Sequence, residues 1–225
     1  MIMKMKIYIA TGNFDKKREM AELLPEHTVV TPKDEGIGFN PEETGESFYE
    51  NSLIKARSLW ELVHSPVIAD DSGLCVDALG GAPGIYSSRY AGPAFMQGRP
   101  DDKKIAQAEQ NKFLIEQLNA ALAAGLDEEA FRRKGLFAQG PRSAHYTCAM
   151  VLYLGHDRLL VAQETMEGCI VPTVEAQRGT GGFGYDPLFY LPAYGKTVAE
   201  LSGEEKNKIS HRGKAARIIK NLFFF

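Results

Sequence analysis

The chain has 225 residues, 44% hydrophobic and 24% charged, with a formal net charge of −3. That length suits one sizeable domain with an adequate core, and the slight acidic surplus excludes a general nucleic-acid coat, which needs a strong basic excess. Cysteines at 75, 148 and 169 have no paired spacing, which fits reduced thiols in a cytoplasmic protein better than a disulfide framework or a zinc site. The first ten residues mix lysines with a short apolar run, neither a signal peptide nor a membrane span, and no other window is apolar for long enough to cross a bilayer.

Lys6 to Ala10 reads as a strand and Thr11-Gly12-Asn13 as a turn, followed by a helix from Asp15 to Leu24 that Pro25 stops. His27 to Thr31 is a second short strand. Ser47 with Glu50 three residues on forms a capping box for a helix reaching Val63, and Pro66 breaks it. Val67, Ile68 and Ala69 then form a buried strand that opens at Asp70, Asp71, Ser72 and Gly73, so that the glycine turn presents two carboxylates at the strand's mouth.

Gly80 to Gly92 reads as a glycine-rich loop, and Asp101 to Ala124 as a helix with Ile105, Phe113, Leu114, Leu118 and Leu122 inward. Asp127 to Arg142 is a charged, punctuated surface excursion. Tyr146–Leu154 and Leu159–Glu167 flank Gly155-His156-Asp157-Arg158 as a hairpin. A second capping box, Ser202 with Glu205, and a helix from Ser210 to Leu222 finish the chain, with Phe223 to Phe225 as packing or a dimer contact. Strands alternate with helices before a late hairpin, which makes the fold an α/β arrangement around a mixed sheet. No repeat or low-complexity tract interrupts it.

Four places can carry chemistry. Adjacent Asp70 and Asp71 repel unless a cation or proton lies between them, and their hard oxygens suit Mg²⁺; the alternative is a solvated turn or a helix cap. The strand–turn–helix at Thr11, Gly12, Asn13, Phe14, Asp15 and Lys16 offers free N–H groups and a helix dipole to an anion, without Walker spacing. Gly179, Gly181 and Gly184 match a dinucleotide fingerprint in spacing only, since Tyr185-Asp186-Pro187 follows where a helix should begin. That stretch reads instead as a flexible loop presenting Phe183 or Tyr185 to a base and Asp186 to a polar edge. Ser210-His211-Arg212-Gly213, with Lys206 and Lys208 upstream, sets cations at a helix start, which hints that something negative belongs there. Asn51 and Lys55 lie four apart on one helical face, and Glu42 or Glu43 could complete a metal's oxygen shell with Asp71.

Taken in order, Ala10-Thr11-Gly12-Asn13 with Lys16, Pro41-Glu42-Glu43-Thr44-Gly45, Glu50-Asn51 with Lys55-Ala56, Ala69-Asp70-Asp71-Ser72-Gly73-Leu74, Gly80-Gly81-Ala82-Pro83-Gly84-Ile85-Tyr86, Gly181 to Pro187, and Glu205-Lys206 with Ser210-His211-Arg212-Gly213 resemble the inosine triphosphate pyrophosphatase (Ham1-like) family. The seven segments span almost the whole chain. The resemblance implies a single bilobal domain, with an elongated mixed sheet, flanking helices and a central cleft, usually as a homodimer. It implies Mg²⁺-dependent cleavage of ITP, dITP or XTP between the α and β phosphates. By the same resemblance Thr11 to Lys16 hold the phosphates, Glu42 and Asp71 bind Mg²⁺, and Asp71 is the proton acceptor, with Lys55 the second catalytic residue. Ser72 touches substrate, and Phe183, Gly184, Tyr185, Asp186, Lys206, His211 and Arg212 surround the base. The stretch from Gln97 to Ala144 is longer and more charged than the family pattern. Rival readings are a Maf-like pyrophosphatase of different base preference, against which Ser210-His211-Arg212 argues, and a non-catalytic nucleotide sensor. The paired aspartates with Glu42 disfavour the sensor.

Overall fold

A computed structural model describes residues 4–91, 105–126, 129 and 140–223. Seven strands form one mixed sheet in the order β2-β1-β3-β4-β5-β6-β7: β1 Lys6–Ile9, β2 Thr28–Val30, β3 Val67–Val76, β4 Ser143–Tyr153, β5 Leu159–Ile170, β6 Phe189–Leu191 and β7 Lys196–Thr197. Strands β2 and β3 both run parallel to β1, with Lys6 opposite Thr28 and Ile9 opposite Ile68. Strand β6 is antiparallel to β5 and β7. The helices among the described residues are α1 Phe14–Leu23, α2 Phe48–Val63, α3 Gln107–Ala123, α4 Gly203–Ile209 and α5 His211–Phe223. None is long and apolar enough to cross a membrane.

The chain divides into two compact units, whose boundaries fall inside β3, β4, β5 and α4. The first takes the chain up to Ser72, Thr147–Thr165 and everything from Asn207. Its strands alternate with period two, and each face has its own core. Ile7, Ile9, Ile68, Met150 and Leu152 face Met20 and Leu24 of the α1 region and Ala215, Ala216 and Ile219 of α5. Tyr8, Ala10, Val67, Ala69, Val151 and Tyr153 face Ala56 and Leu59 of α2. Phe223 packs at the edge of the first of these clusters.

The second unit holds Gly73–Tyr146 and Met166–Lys206. Leu114, Ile115 and Leu118 of α3 are buried there, and Tyr146 packs on Phe189 with ring centroids 4.8 Å apart. The loop expected at Gly80 to Gly92 follows a short 3₁₀ turn, Asp77–Leu79, and contains another, Gly84–Tyr86, as far as Ala91, where the described segment ends. The expected helix start at Asp101 and most of the excursion at 127–142 lie outside the described residues; Ile105 precedes α3 in irregular backbone.

The largest departure from expectation is at Gly73. The strand does not end at the acidic pair: β3 continues through Asp70, Asp71, Ser72 and Gly73 to Val76, so the carboxylates lie mid-strand rather than at its mouth. Leu74 and Val76 are fully buried, and that resumed apolar run outweighs the turn preference of Ser-Gly. The N-terminal capping box of α2 is also only half formed. Ser47 Oγ accepts from Glu50 N at 3.2 Å, but Glu50 Oε2 accepts from Glu46 N at 2.6 Å. The Ser202–Glu205 box is complete and opens α4.

The β4–β5 hairpin turns through Gly155, His156 and Asp157, all at positive φ. A Cβ at Gly155 would lie 2.2 Å from Trp60 Cζ2. Gly155→Ala should therefore lower stability by about 2–4 kcal/mol, combining left-handed strain with overpacking. Urea unfolding with an unchanged m-value is the check, and a loss under about 0.5 kcal/mol would contradict it.

Candidate active site

The residues singled out from the sequence fall in three side-chain groups, two in the first unit and one in the second. The β1–α1 turn begins the first. Asn13 is the N-cap of α1, and its Oδ1 accepts from Asp15 N at 2.8 Å and Lys16 N at 3.2 Å, while Asn13 N donates to Thr11 Oγ1. Two of the N–H groups expected to be free for an anion are thus satisfied locally. The turn is otherwise open, with Gly12 exposed and Phe14 72% exposed. Lys16 turns inward instead, with Nζ 2.9 Å from Asp70 Oδ2.

Strand alternation decides the fate of the aspartates. Asp70, in phase with Ile68, points to the α1/α5 face; Asp71, in phase with Ala69, points to the α2 face. Asp70 accepts from Arg212 Nε and Nη2, each at 3.2 Å, and from Ser72 Oγ at 3.2 Å. Arg212 also donates to Glu19 Oε2 at 2.5 Å and Ser72 Oγ at 2.9 Å. Burial alone would raise the Asp70 pKa, but Lys16 and Arg212, with Lys55 behind them, hold it far below the usual carboxylate range. Burial likewise opposes the Arg212 charge, and Asp70 and Glu19 overcome it to raise its pKa further. The anion hinted at by the basic helix start is therefore supplied from within, by Asp70 and Glu19. Ser210 Oγ accepts from Gly213 N at 3.0 Å to open α5. Gly213 is required there because a Cβ would fall 1.9 Å from the Asn207 carbonyl oxygen.

On the opposite face Lys55 Nζ donates to Asp71 Oδ1 at 2.8 Å and to Glu43 Oε2 at 3.4 Å. Burial works against the Lys55 charge, but Asp71, then Glu43 and Asp70, offset it and raise its pKa. Ser52 Oγ donates to Ala69 O at 2.9 Å, tying α2 to β3. Asn51, expected beside Lys55 in a cleft, is buried and accepts from Gly45 N at 2.8 Å, anchoring the loop that carries Glu42 and Glu43. Glu42 is exposed and makes no hydrogen bond or ion pair among the described residues.

Asp71 Oδ2 is buried with no hydrogen-bond partner among the described residues. An acceptor left so costs about 1–3 kcal/mol, and a hard cation would satisfy it. No group of three or more His, Cys, Asp or Glu side chains among the described residues forms a closed cage. Mg²⁺ does not demand one, since it commonly takes one or two carboxylates plus waters and substrate phosphates. The unpartnered Oδ2 of Asp71 fits such an ion as one of its ligands.

The third group lies in the second unit. Lys206 Nζ donates to Asp186 Oδ2 at 2.9 Å and sits 4.5 Å from the centroid of the Phe183 ring. Asp186 Oδ2 also accepts from Phe183 N at 2.9 Å, which fixes the loop between them. Of the two aromatics expected to stack, Phe183 is half-buried, while Tyr185 is 3% exposed and donates its hydroxyl to Ser87 O at 3.1 Å. Tyr185 thus braces the loop from beneath. Gly184 takes a positive φ between them.

A family model described as the Ham1 family matches residues 7–222. The chain belongs to the Ham1 family. Among similar proteins, the dITP/XTP pyrophosphatase of Treponema denticola is 49% identical over 211 residues, covering 94% of each chain. That of Escherichia coli K12 is 40% identical over 219 residues, covering 95% of each. Among solved structures, a HAM1 protein from Coxiella burnetii shares 36% identity and a TM-score of 0.77 over 97% of this chain and 98% of its own. The Staphylococcus aureus Ham1 protein gives 33% and 0.72 over 96% and 97%. The mixed α/β fold is that of these Ham1 proteins.

Sequence reading of this Ham1 chain missed Glu19, the buried partner of Arg212. Its signal was a carboxylate three residues after Lys16, on the helical face that also carries Met20. Asp70→Asn should cost about 3–5 kcal/mol at pH 7, because it leaves buried cations short of a counter-charge. The folded pKa of Asp70 is depressed, so its contribution is present above the unfolded value near 3.9 and fades as pH falls below it. Urea unfolding should show the gap between wild type and variant narrowing below about pH 4; a gap constant down to pH 2 would contradict this.

Proposed function

We propose that this chain is a nucleoside-triphosphate pyrophosphatase that hydrolyses ITP, dITP and XTP to the monophosphate and pyrophosphate with Mg²⁺, clearing non-standard purines from the nucleotide pool. The observation that carries the reading is the buried, unpartnered Oδ2 of Asp71 beside the Lys55 ammonium. It is supported by the names of the similar proteins, dITP/XTP pyrophosphatases. Phosphoryl transfer is chiefly positioning and neutralisation of charge, so lysines, a helix N-terminus and a metal are the expected parts.

Lys55 holds Asp71 by Oδ1 and leaves Oδ2 open, either to Mg²⁺ or to the proton of the attacking water. Asp71 and Glu42 would hold Mg²⁺, which would supply neutralisation of the charge on the phosphate oxygens. The open turn at Thr11 to Lys16, backed by the α1 dipole, receives the phosphate tail. Lys16 then divides its charge between that tail and Asp70. Ser72, already bonded to Arg212, orders the strand next to the reacting phosphate. The Phe183 ring offers a face for the purine, and Lys206 offers a donor to O6. Such a donor meets the 6-amino group of adenine without an acceptor, and mismatches of this kind discriminate by roughly 10⁴-fold or more. The resemblance also assigns His211 and Arg212 to the base, Arg212 being tied first to Asp70 and Glu19.

Incubation with ITP and Mg²⁺ should release pyrophosphate, ATP should be a far poorer substrate, and a chelator should stop turnover. Asp71→Asn should fold, by circular dichroism, yet lose roughly 10²–10⁴-fold in kcat. Orthophosphate as the product, or full activity in Asp71→Asn, would defeat the proposal. A homodimer and a cytoplasmic location accompany this reading, and sedimentation at twice the chain mass is the expected result.

A further inference from the structure

The helix α3 presents an amide stripe. Gln107, Asn111 and Asn119 lie four and then eight residues apart along it, with buried Ile115 at the position between the last two, so all four share a side. Gln107 Nε2 donates to Asn111 Oδ1 at 2.9 Å, and Asn111 Nδ2 donates to Gln177 Oε1 at 3.2 Å. Asn111 is 4% exposed, and having both ends of its amide engaged fixes its orientation. Further along, Asn119 Oδ1 accepts from Arg142 Nη1 at 2.8 Å. The Nε and Nη2 of Arg142 donate to Ile170 O and Val171 O at 2.8 and 2.9 Å. The stripe thus tracks the segment that leads into the glycine loop.

Gln177 is the last residue before that loop is pinned. Arg178 O accepts from Thr197 Oγ1 at 2.8 Å, and Gly181 N donates to Ala199 O at 3.0 Å. A second tie runs through two adjacent carbonyls. Gln110 Nε2 of α3 donates to Ser88 O at 2.9 Å, and Tyr185 OH donates to Ser87 O at 3.1 Å. An apolar helix face would press on the loop without setting its register, whereas hydrogen bonds of defined direction do set it.

We propose that α3 positions the Gly179–Asp186 loop for base discrimination, with Asn111 and Gln177 as positioning residues that touch no substrate. This rests on the reading of Phe183 and Lys206 as the base site. The base contacts affinity and selection rather than the reacting phosphate, so loosening the loop should appear in KM and in the ratio between nucleotides.

The test measures kcat and KM for ITP and ATP in the wild type, Asn111→Ala, Gln177→Ala, the double variant and Gln177→Glu. Each alanine variant should raise KM for ITP about three- to tenfold, keep kcat within about twofold and narrow the ITP-to-ATP ratio in kcat/KM. The double variant should be no worse than the worse single, because both break one link. Gln177→Glu keeps the acceptor for Asn111 Nδ2 and should retain the wild-type KM. Gln177 is half-buried, so its variants report even if Asn111→Ala folds poorly. An unchanged ratio, additive losses, or kcat falling equally on both nucleotides would overturn the positioning role while leaving the activity standing. A wild-type protein that releases no pyrophosphate from ITP would instead overturn the base-site reading itself.

Discussion

Arg212 is 2% exposed, and moving a guanidinium from water into such a place costs several kcal/mol unless carboxylates meet it with good geometry. Asp70 comes to it from β3 and Glu19 from α1, while Arg212 itself opens α5. Three elements distant in sequence must therefore hold one arrangement, or a charge is left buried without a partner. Other features follow from this. Lys16 adds a second cation against Asp70, tying the first turn of α1 to β3. Asn13 caps that turn, and Gly213 lets α5 start close enough to the Asn207 carbonyl to place Arg212. The open Thr11–Phe14 turn is thus held by a neutral cluster beneath it, two cations against two carboxylates, before any phosphate arrives.

Much of the fold was legible because its signals are local. The periodicity of Ile7 and Ile9 against Tyr8 and Ala10, the stop at Pro25, and the Ser202–Glu205 box each act within a few residues. The strand at Gly73 was not legible in the same way. Ser-Gly is a turn signal over four residues, and only burial of Leu74 and Val76 decides against it. Propensity sets a weak prior that tertiary packing overrides. The half-formed box at Ser47 failed for a related reason: Glu50 found a nearer donor in Glu46 N.

The site was legible as a set of residues and illegible as a set of pairings. The acids, the lysines and the Ser210–Gly213 segment were all recognisable by type. Arg212 and Lys16 read as groups waiting for an outside anion, but the structure gives them Asp70 and Glu19. Tyr185 read as a stacking candidate, yet its hydroxyl is spent on Ser87 O. A sequence names donors and acceptors; which acceptor lies nearest depends on contacts up to 193 residues apart, such as Arg212 with Glu19.

Two adjacent acids on one strand invite mutual repulsion, and a shared cation or proton is one way to relieve it. The pleat supplies another. Successive side chains leave opposite faces, so Asp70 and Asp71 meet separate cations and need nothing between them. Their duties separate with their faces. Asp70 spends its hydrogen-bonding capacity on Arg212, Lys16 and Ser72, which makes it an anchor. Asp71 is held by one oxygen and left open at the other. Because they share consecutive backbone positions, the rigidity purchased at Asp70 is transmitted to Asp71 through a single peptide unit. In its proposed role as proton acceptor Asp71 must be held to within about 0.5 Å, and a neighbour buried in an ion cluster is a direct way to achieve that without occupying the open oxygen.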